Sequence, residues 1–221
     1  MTQAPAPSVH GEIGTPEEIA YEARAQEGSI WTGGRLLVGV MAFAFAALAF
    51  AYFYLRSSNS GDLWRPNDVT APTAIGAAIM ALAVASAVVV GFGLRRLRLG
   101  MALDWSISWW CAVLGTVIAF GLQIWEMTVL PFFPGSSGYA SVFIGWASMD
   151  LLLLFSGFYW LETILASHIR LRRAARKGGG VDEAFLLTDR MFRVNAESCA
   201  FYWGFIAVVS LFFWVFFYVA G

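Results

Sequence analysis

The sequence predicts an all-α membrane protein with five transmembrane helices, the N-terminus in the cytoplasm and the C-terminus outside. Three observations predict it. The 221-residue chain is 59% hydrophobic and only 13% charged, about half the charge of an average soluble domain. Five apolar runs, roughly 35–55, 73–94, 105–130, 139–167 and 198–220, reach the ~20 residues that a membrane helix needs. The basic residues gather on one side of those runs. Ten of them lie in the connections after the second and fourth runs: Arg95, Arg96, Arg98, Arg170, Arg172, Arg173, Arg176, Lys177, Arg190 and Arg193. The opposite connections hold two, Arg56 and Arg65, so the ten-residue side is expected in the cytoplasm.

Residues 1–34 read as an acidic tail with a short cytoplasmic helix. In TPEEIAYEARAQEG, Thr15 is placed to cap, Pro16 to take the first helical position, Glu18 to complete a capping box and Gly28 to end the helix. The glutamates give this helix a side that faces solvent or a partner subunit. The first thirty residues lack a basic region followed by an apolar one, so no cleavable signal is expected. Residues 35–221 read as the five-helix bundle. All seven prolines fall outside the runs, so unbroken helices are expected. The second span is rich in small residues. Ala77, Ala81 and Ala85 recur every four residues, a spacing that lets another helix approach closely, and they are the expected packing face. The third and fourth runs are long, which suits tilted spans. Between the fourth and fifth, RKGGGVDEAFLLTDRMFR reads as a flexible turn and a short amphipathic helix near the inner surface.

The chain offers few groups for chemistry. His10 lies in the tail and His168 at the basic end of the fourth span, so neither is placed to ligate a metal in the membrane core. The two cysteines, Cys111 and Cys199, read as small apolar side chains and cannot form a disulfide framework. No cysteine or carboxylate cluster has metal-ligand spacing, and no phosphate loop or nucleophile elbow occurs. No catalytic residue, metal site or cofactor of its own is therefore expected. The polar residues inside the runs stand out instead. Gln123 and Glu126 sit near the outer end of the third span, where Glu126 follows the interfacial residue Trp125 and is expected to reach the headgroups. Asp150 lies about 16 Å below the start of the fourth span, near mid-bilayer, where a charge costs a few kcal/mol or more. No Lys or Arg lies inside a span. Asp150 is then either neutral, with its acid proton hydrogen-bonded, or faces another subunit that supplies a donor. Its helical face continues through Trp146, Leu153 or Leu154, Gly157 and Leu161.

Four segments carry distinctive motifs. The first span ends FAYFYLRSSNSGDLWRP, an aromatic end followed by a polar loop and a Trp-Pro-type turn, Phe50 to Pro66. The third span holds Q-I-W-E, with Gln123 and Glu126. The next loop and span open SSGYASVF, Ser136 to Phe143 and including Tyr139. The last span carries FYWGFIAVVSLFFWVFFYV, with Tyr202 and Trp203. Together they resemble subunit III of the haem-copper oxidases (cytochrome c oxidase polypeptide III) in its short five-span bacterial form, and are similar to its Q-x-x-E, its S-x-Y-G-S-x-F-F and the aromatic frame of its last span, with order and spacing in agreement over about residues 35–220. The departures are systematic. The family's His-x-x-His falls on Asp150 and Leu153, the His and Asp of its last span fall on Gly204 and Ala207, and its acidic first-span residue falls near Ala42. Features tied to those residues do not carry over.

The resemblance implies a non-catalytic accessory subunit of a cytochrome c oxidase-type complex in a bacterial cytoplasmic membrane. Haem and copper would reside in partner subunits, chiefly catalytic subunit I. Phospholipid would be held between the helices, and the subunit would support electron transfer to oxygen and proton translocation. No nucleic-acid partner is expected. Gln123, Glu126, Tyr139, Asp150, Tyr202 and Trp203 are the candidate lipid- or partner-facing polar residues. Two alternatives stand beside this reading: a small proton-coupled or ligand-binding membrane protein, with Asp150 as a proton site, and a membrane assembly factor. Unbroken helices and the lack of a visible internal repeat weigh against a transporter.

Overall fold

A computed structural model describes residues 16–59, 63–178 and 190–220. Among them, five helices are long and apolar enough to cross a membrane. They are α1 (Pro16–Ser58), α2 (Thr73–Arg98), α3 (Ala102–Val129), α4 (Gly138–Gly178) and α5 (Arg190–Trp214), the last continued by a π-helical turn, Val215–Val219. Helices α2, α3, α4 and α5 form a ring in which each packs on the next and α5 closes on α2. Helix α1 lies outside the ring against α4 and α5. Its outward residues, among them Leu36, Val40, Phe43 and Phe50, are exposed and apolar, as a surface bathed in lipid requires.

The helix ends follow from local chemistry. Pro72 precedes α2, and Pro131 closes the way beyond α3. Helix α2 stops at Gly100, whose φ of +75° is open to glycine without steric cost. The Met101 N–H donates to Arg96 O at 3.0 Å and the Gly100 N–H to Leu97 O at 3.0 Å, the paired bonds of a Schellman cap. Ser137 caps α4 by accepting the Ala140 N–H at 3.1 Å.

The last turns of α2 and α4 and the first turns of α3 and α5 share one end, the basic end. There Arg98 meets Glu197 at 2.9 Å and Arg190 meets Glu27 at 2.8 Å. Trp105 packs edge-on to His168 and Phe192 below them. The opposite end is aromatic. Trp64 stands edge-on to Tyr52 and Tyr139, over Phe143, Trp146, Phe213 and Phe217.

Several expectations need correction. Gly28 does not end the first helix, which runs without a break from Pro16 through Gly28 to Ser58. A helical glycine costs about 1 kcal/mol but removes no hydrogen bond, so it weakens a helix without stopping it. The glycine that matters in α1 is Gly34, where a Cβ would run into Ser198 Oγ and so hold α1 off α5. Glu27 meets α5 of its own chain. The expected cap Thr15 and residues 179–189 of the fourth connection lie outside the described residues. Ala81 and Ala85 are exposed and Ala77 is half-buried, so the expected small-residue face points out of the chain rather than into it. The face of α2 that packs within the chain is the neighbouring stripe of Gly76, Ile79, Ala83, Ser86, Val90, Gly93 and Leu97. At Gly93 this stripe comes close to α3, because a Cβ there would meet the Trp109 ring at 2.5 Å. The helices are also not uniformly α-helical, since the last turn of the fifth widens into a π-helix.

Candidate functional site

The face of α3 that turns into the ring carries Trp105, Ser108, Trp109, Ala112, Val113, Thr116, Ala119, Gln123 and Glu126. These positions repeat every three or four residues, the spacing of one helical face. Glu126 therefore points inward and is fully buried, which corrects the expectation that it reaches the headgroups. Neighbouring Trp125 takes the exposed position instead.

The buried Glu126 is supplied with donors by its own chain. Tyr218 Oη donates to Glu126 Oε1 at 2.5 Å, and Gln123 Nε2 donates to Glu126 Oε2 at 3.2 Å. Asp150, also fully buried, accepts at Oδ1 from Ser210 Oγ of α5 at 3.2 Å. Asp150 thus faces α5 of its own chain and not a second subunit. Its helical face is buried along its length, through Trp146, Leu153, Leu154, Gly157 and Leu161.

Gln123, Glu126, Asp150, Ser210 and Tyr218 line one cavity between α2, α3, α4 and α5, together with Gly76, Ile79, Met80, Phe213 and Trp214. About 10 Å³ of it is open to a water-sized sphere. Three lining residues carry buried polar atoms with no partner among the described residues: Gln123 Oε1, Asp150 Oδ2 and Trp214 Nε1. No Lys or Arg among the described residues lines the cavity.

Two local features put Tyr218 in place. The first is the π-turn, which is wider than an α-turn and shifts the register of the final residues. The Phe216 carbonyl accepts from Tyr52 Oη at 2.9 Å and the Phe217 carbonyl from Tyr139 Oη at 3.0 Å. Arg56 in turn donates to Tyr52 Oη at 2.7 Å. The second is Gly76. A Cβ at this position would overlap the Tyr218 ring and lie 2.6 Å from its hydroxyl. Gly76→Ala is expected to cost about 1–3 kcal/mol, as overpacking does, and to drive the ring off Glu126. The check is the midpoint of a denaturing-detergent titration, and an unchanged midpoint would show that the ring has room to spare.

The six candidate polar residues are all buried in the chain, so none of them faces lipid or a partner. Gln123, Glu126 and Asp150 meet at the cavity. Tyr139 lies above it, bound to the π-turn. Tyr202 Oη pairs with Ser156 Oγ at 2.6 Å between α4 and α5. Trp203 packs over Gly157, where a Cβ would come within 3.1 Å of its ring. Ser210, Trp214, Tyr218 and Gly76 are site residues that reading the sequence missed. Comparison of the chain with protein-family models and with curated proteins finds no match.

Proposed function

We propose that the chain is a non-catalytic, multi-pass subunit of a bacterial respiratory complex of the haem-copper oxidase type, similar to subunit III. In this reading its basic end faces the cytoplasm, and haem and copper reside in partner subunits, chiefly subunit I. Phospholipid would be retained against its helices. The observation that carries the reading is the spatial convergence of the segments that bear the resemblance. Q-I-W-E meets the last span through Glu126 and Tyr218. The Tyr139 segment meets the same span through the Phe217 carbonyl. The aromatic end of the first span meets it through Tyr52 and the Phe216 carbonyl. Segments far apart in sequence are thus joined at one end of the bundle, as the shared parts of a common fold would be.

Purification of the tagged chain from its native membrane in mild detergent tests the reading. A stoichiometric haem spectrum from co-purifying partners is the expected outcome. A colourless, monodisperse chain would count against it and favour the alternatives. The second reading, a small proton-coupled or ligand-binding membrane protein, draws on one observation: two carboxyls line one cavity among the spans.

A further inference from the structure

We propose that the cavity between α2, α3, α4 and α5 is an internal hydrated proton site. One water is held there, the one carboxyl proton of the site sits on Asp150 Oδ2, and the charge sits on Glu126. The inference does not depend on which complex the chain joins.

Both oxygens of Glu126 accept from the chain, one from Tyr218 at 2.5 Å and one from Gln123 at 3.2 Å. Hydrogen bonds accepted by a carboxylate favour its charged form, and Asp150 accepts only one, from Ser210 at 3.2 Å, while its Oδ2 has no partner among the described residues. Two ionised carboxylates beside one cavity, with no Lys or Arg among the described residues lining it, would be prohibitively costly in an apolar interior. Of the two ionisable carboxyls on the cavity, the geometry therefore gives the proton to Asp150.

The remaining donors and acceptors specify the ligand. The unpartnered atoms are then two donors, Asp150 Oδ2–H and Trp214 Nε1–H, and one acceptor, Gln123 Oε1. A water accepts twice and donates twice. It would take both donors, give one hydrogen to Gln123 Oε1 and keep the other for a lone pair on Glu126. The space matches: about 10 Å³ is open to a water-sized sphere, and a buried water needs on the order of 10–15 Å³ and two to four polar partners. A bare metal cation fits worse, because the Trp214 N–H would point its hydrogen at it.

Four elements face the site. Helix α2 contributes Gly76, Ile79 and Met80, none of them titratable. Helix α3 contributes Glu126 and Gln123, α4 contributes Asp150, and α5 with its π-turn contributes Ser210, Phe213, Trp214 and Tyr218.

Infrared spectroscopy of the intact protein in lipid nanodiscs at neutral pH tests the proposal. One protonated-carboxyl carbonyl band is expected, sensitive to deuterium exchange, absent in Asp150→Asn and kept at full intensity in Glu126→Gln. A water stretch that shifts in heavy-oxygen water is also expected, and should weaken in Trp214→Phe, which preserves the ring's bulk. The proposal fails if no such carboxyl band exists, or if the band survives Asp150→Asn and disappears in Glu126→Gln. It fails equally if no heavy-oxygen shift is found, which would mean a dry cavity. Unchanged elution of each variant on size exclusion guards against misfolding. If Asp150→Asn does not fold, Ser210→Ala serves in its place, because it removes the Oδ1 donor and should shift the same band.

Discussion

Gln123→Leu combined with Tyr218→Phe is expected to destabilise the protein by about 3–5 kcal/mol. The pair removes both donors from Glu126 and leaves a fully buried carboxylate with no donor among the described residues to offset its desolvation. Breaking a buried charged arrangement from one side costs that much, because the remaining charge stays inside. An ordinary hydrogen bond between membrane helices is worth far less, about 0.6 kcal/mol on average and up to about 1.7. The size of the loss therefore distinguishes a charged acceptor from a neutral one. The control is the same pair in a Glu126→Leu background. There the acceptor is gone, and the two substitutions should cost little beyond repacking. The difference between the two backgrounds is the coupling energy of the cluster, readable from denaturing-detergent titrations of all four proteins. A loss of the same size in both backgrounds would show that Gln123 and Tyr218 act by packing alone, and would remove the case for a charge on Glu126.

The fold class was legible because a bilayer imposes a length and a polarity on every span. Each of the five apolar runs reappears as a helix, although the helices extend past the runs, since polar residues at a span's end can continue the backbone ladder into the interface. The site was legible only in part. Asp150 stood out because nothing else charged lies deep in its run. Glu126 was misread because Trp125 beside it is an interfacial type. Adjacent helical residues point about 100° apart, so the neighbour's preference says nothing about the glutamate. The usable signal was the longer one: Ser108, Thr116, Gln123 and Glu126 fall on one face of α3, and a polar stripe on an otherwise apolar helix looks inward. On α2 the opposite problem arose. A helix that is apolar and small on every side offers two stripes of similar composition, and only the bulk of Trp109 and Tyr218 on the neighbouring helices selects the one through Gly76 and Gly93. Tyr218 was hidden for a third reason, because regular α-helical spacing cannot place a residue that lies within a π-turn.

Tyr52→Phe with Tyr139→Phe should lower stability by about 2–4 kcal/mol and loosen residues 215–220. The final carbonyls of a helix have no acceptor role within it, and here those of Phe216 and Phe217 are taken by the two tyrosine hydroxyls. Phenylalanine keeps the rings, which pack on Phe216, Phe217 and Trp64, so the variants remove only the hydroxyls. Each leaves a carbonyl unpartnered, and also takes an acceptor from Arg56 or from the Ala71 N–H, at about 1–2 kcal/mol together. Neither hydroxyl touches Glu126, yet both substitutions should reach it. Once its carbonyls are released, the last turn can relax toward an α-helix, which rotates Tyr218 away from Gly76 and from the Glu126 carboxylate. Amide hydrogen exchange over 215–220 should accelerate in the double variant, and the Tyr218→Phe substitution should then cost less than it does in the parent. Unchanged exchange would mean that the π-turn is held by aromatic packing alone. Acceleration with no change in the cost of Tyr218→Phe would uncouple the turn from the carboxylate.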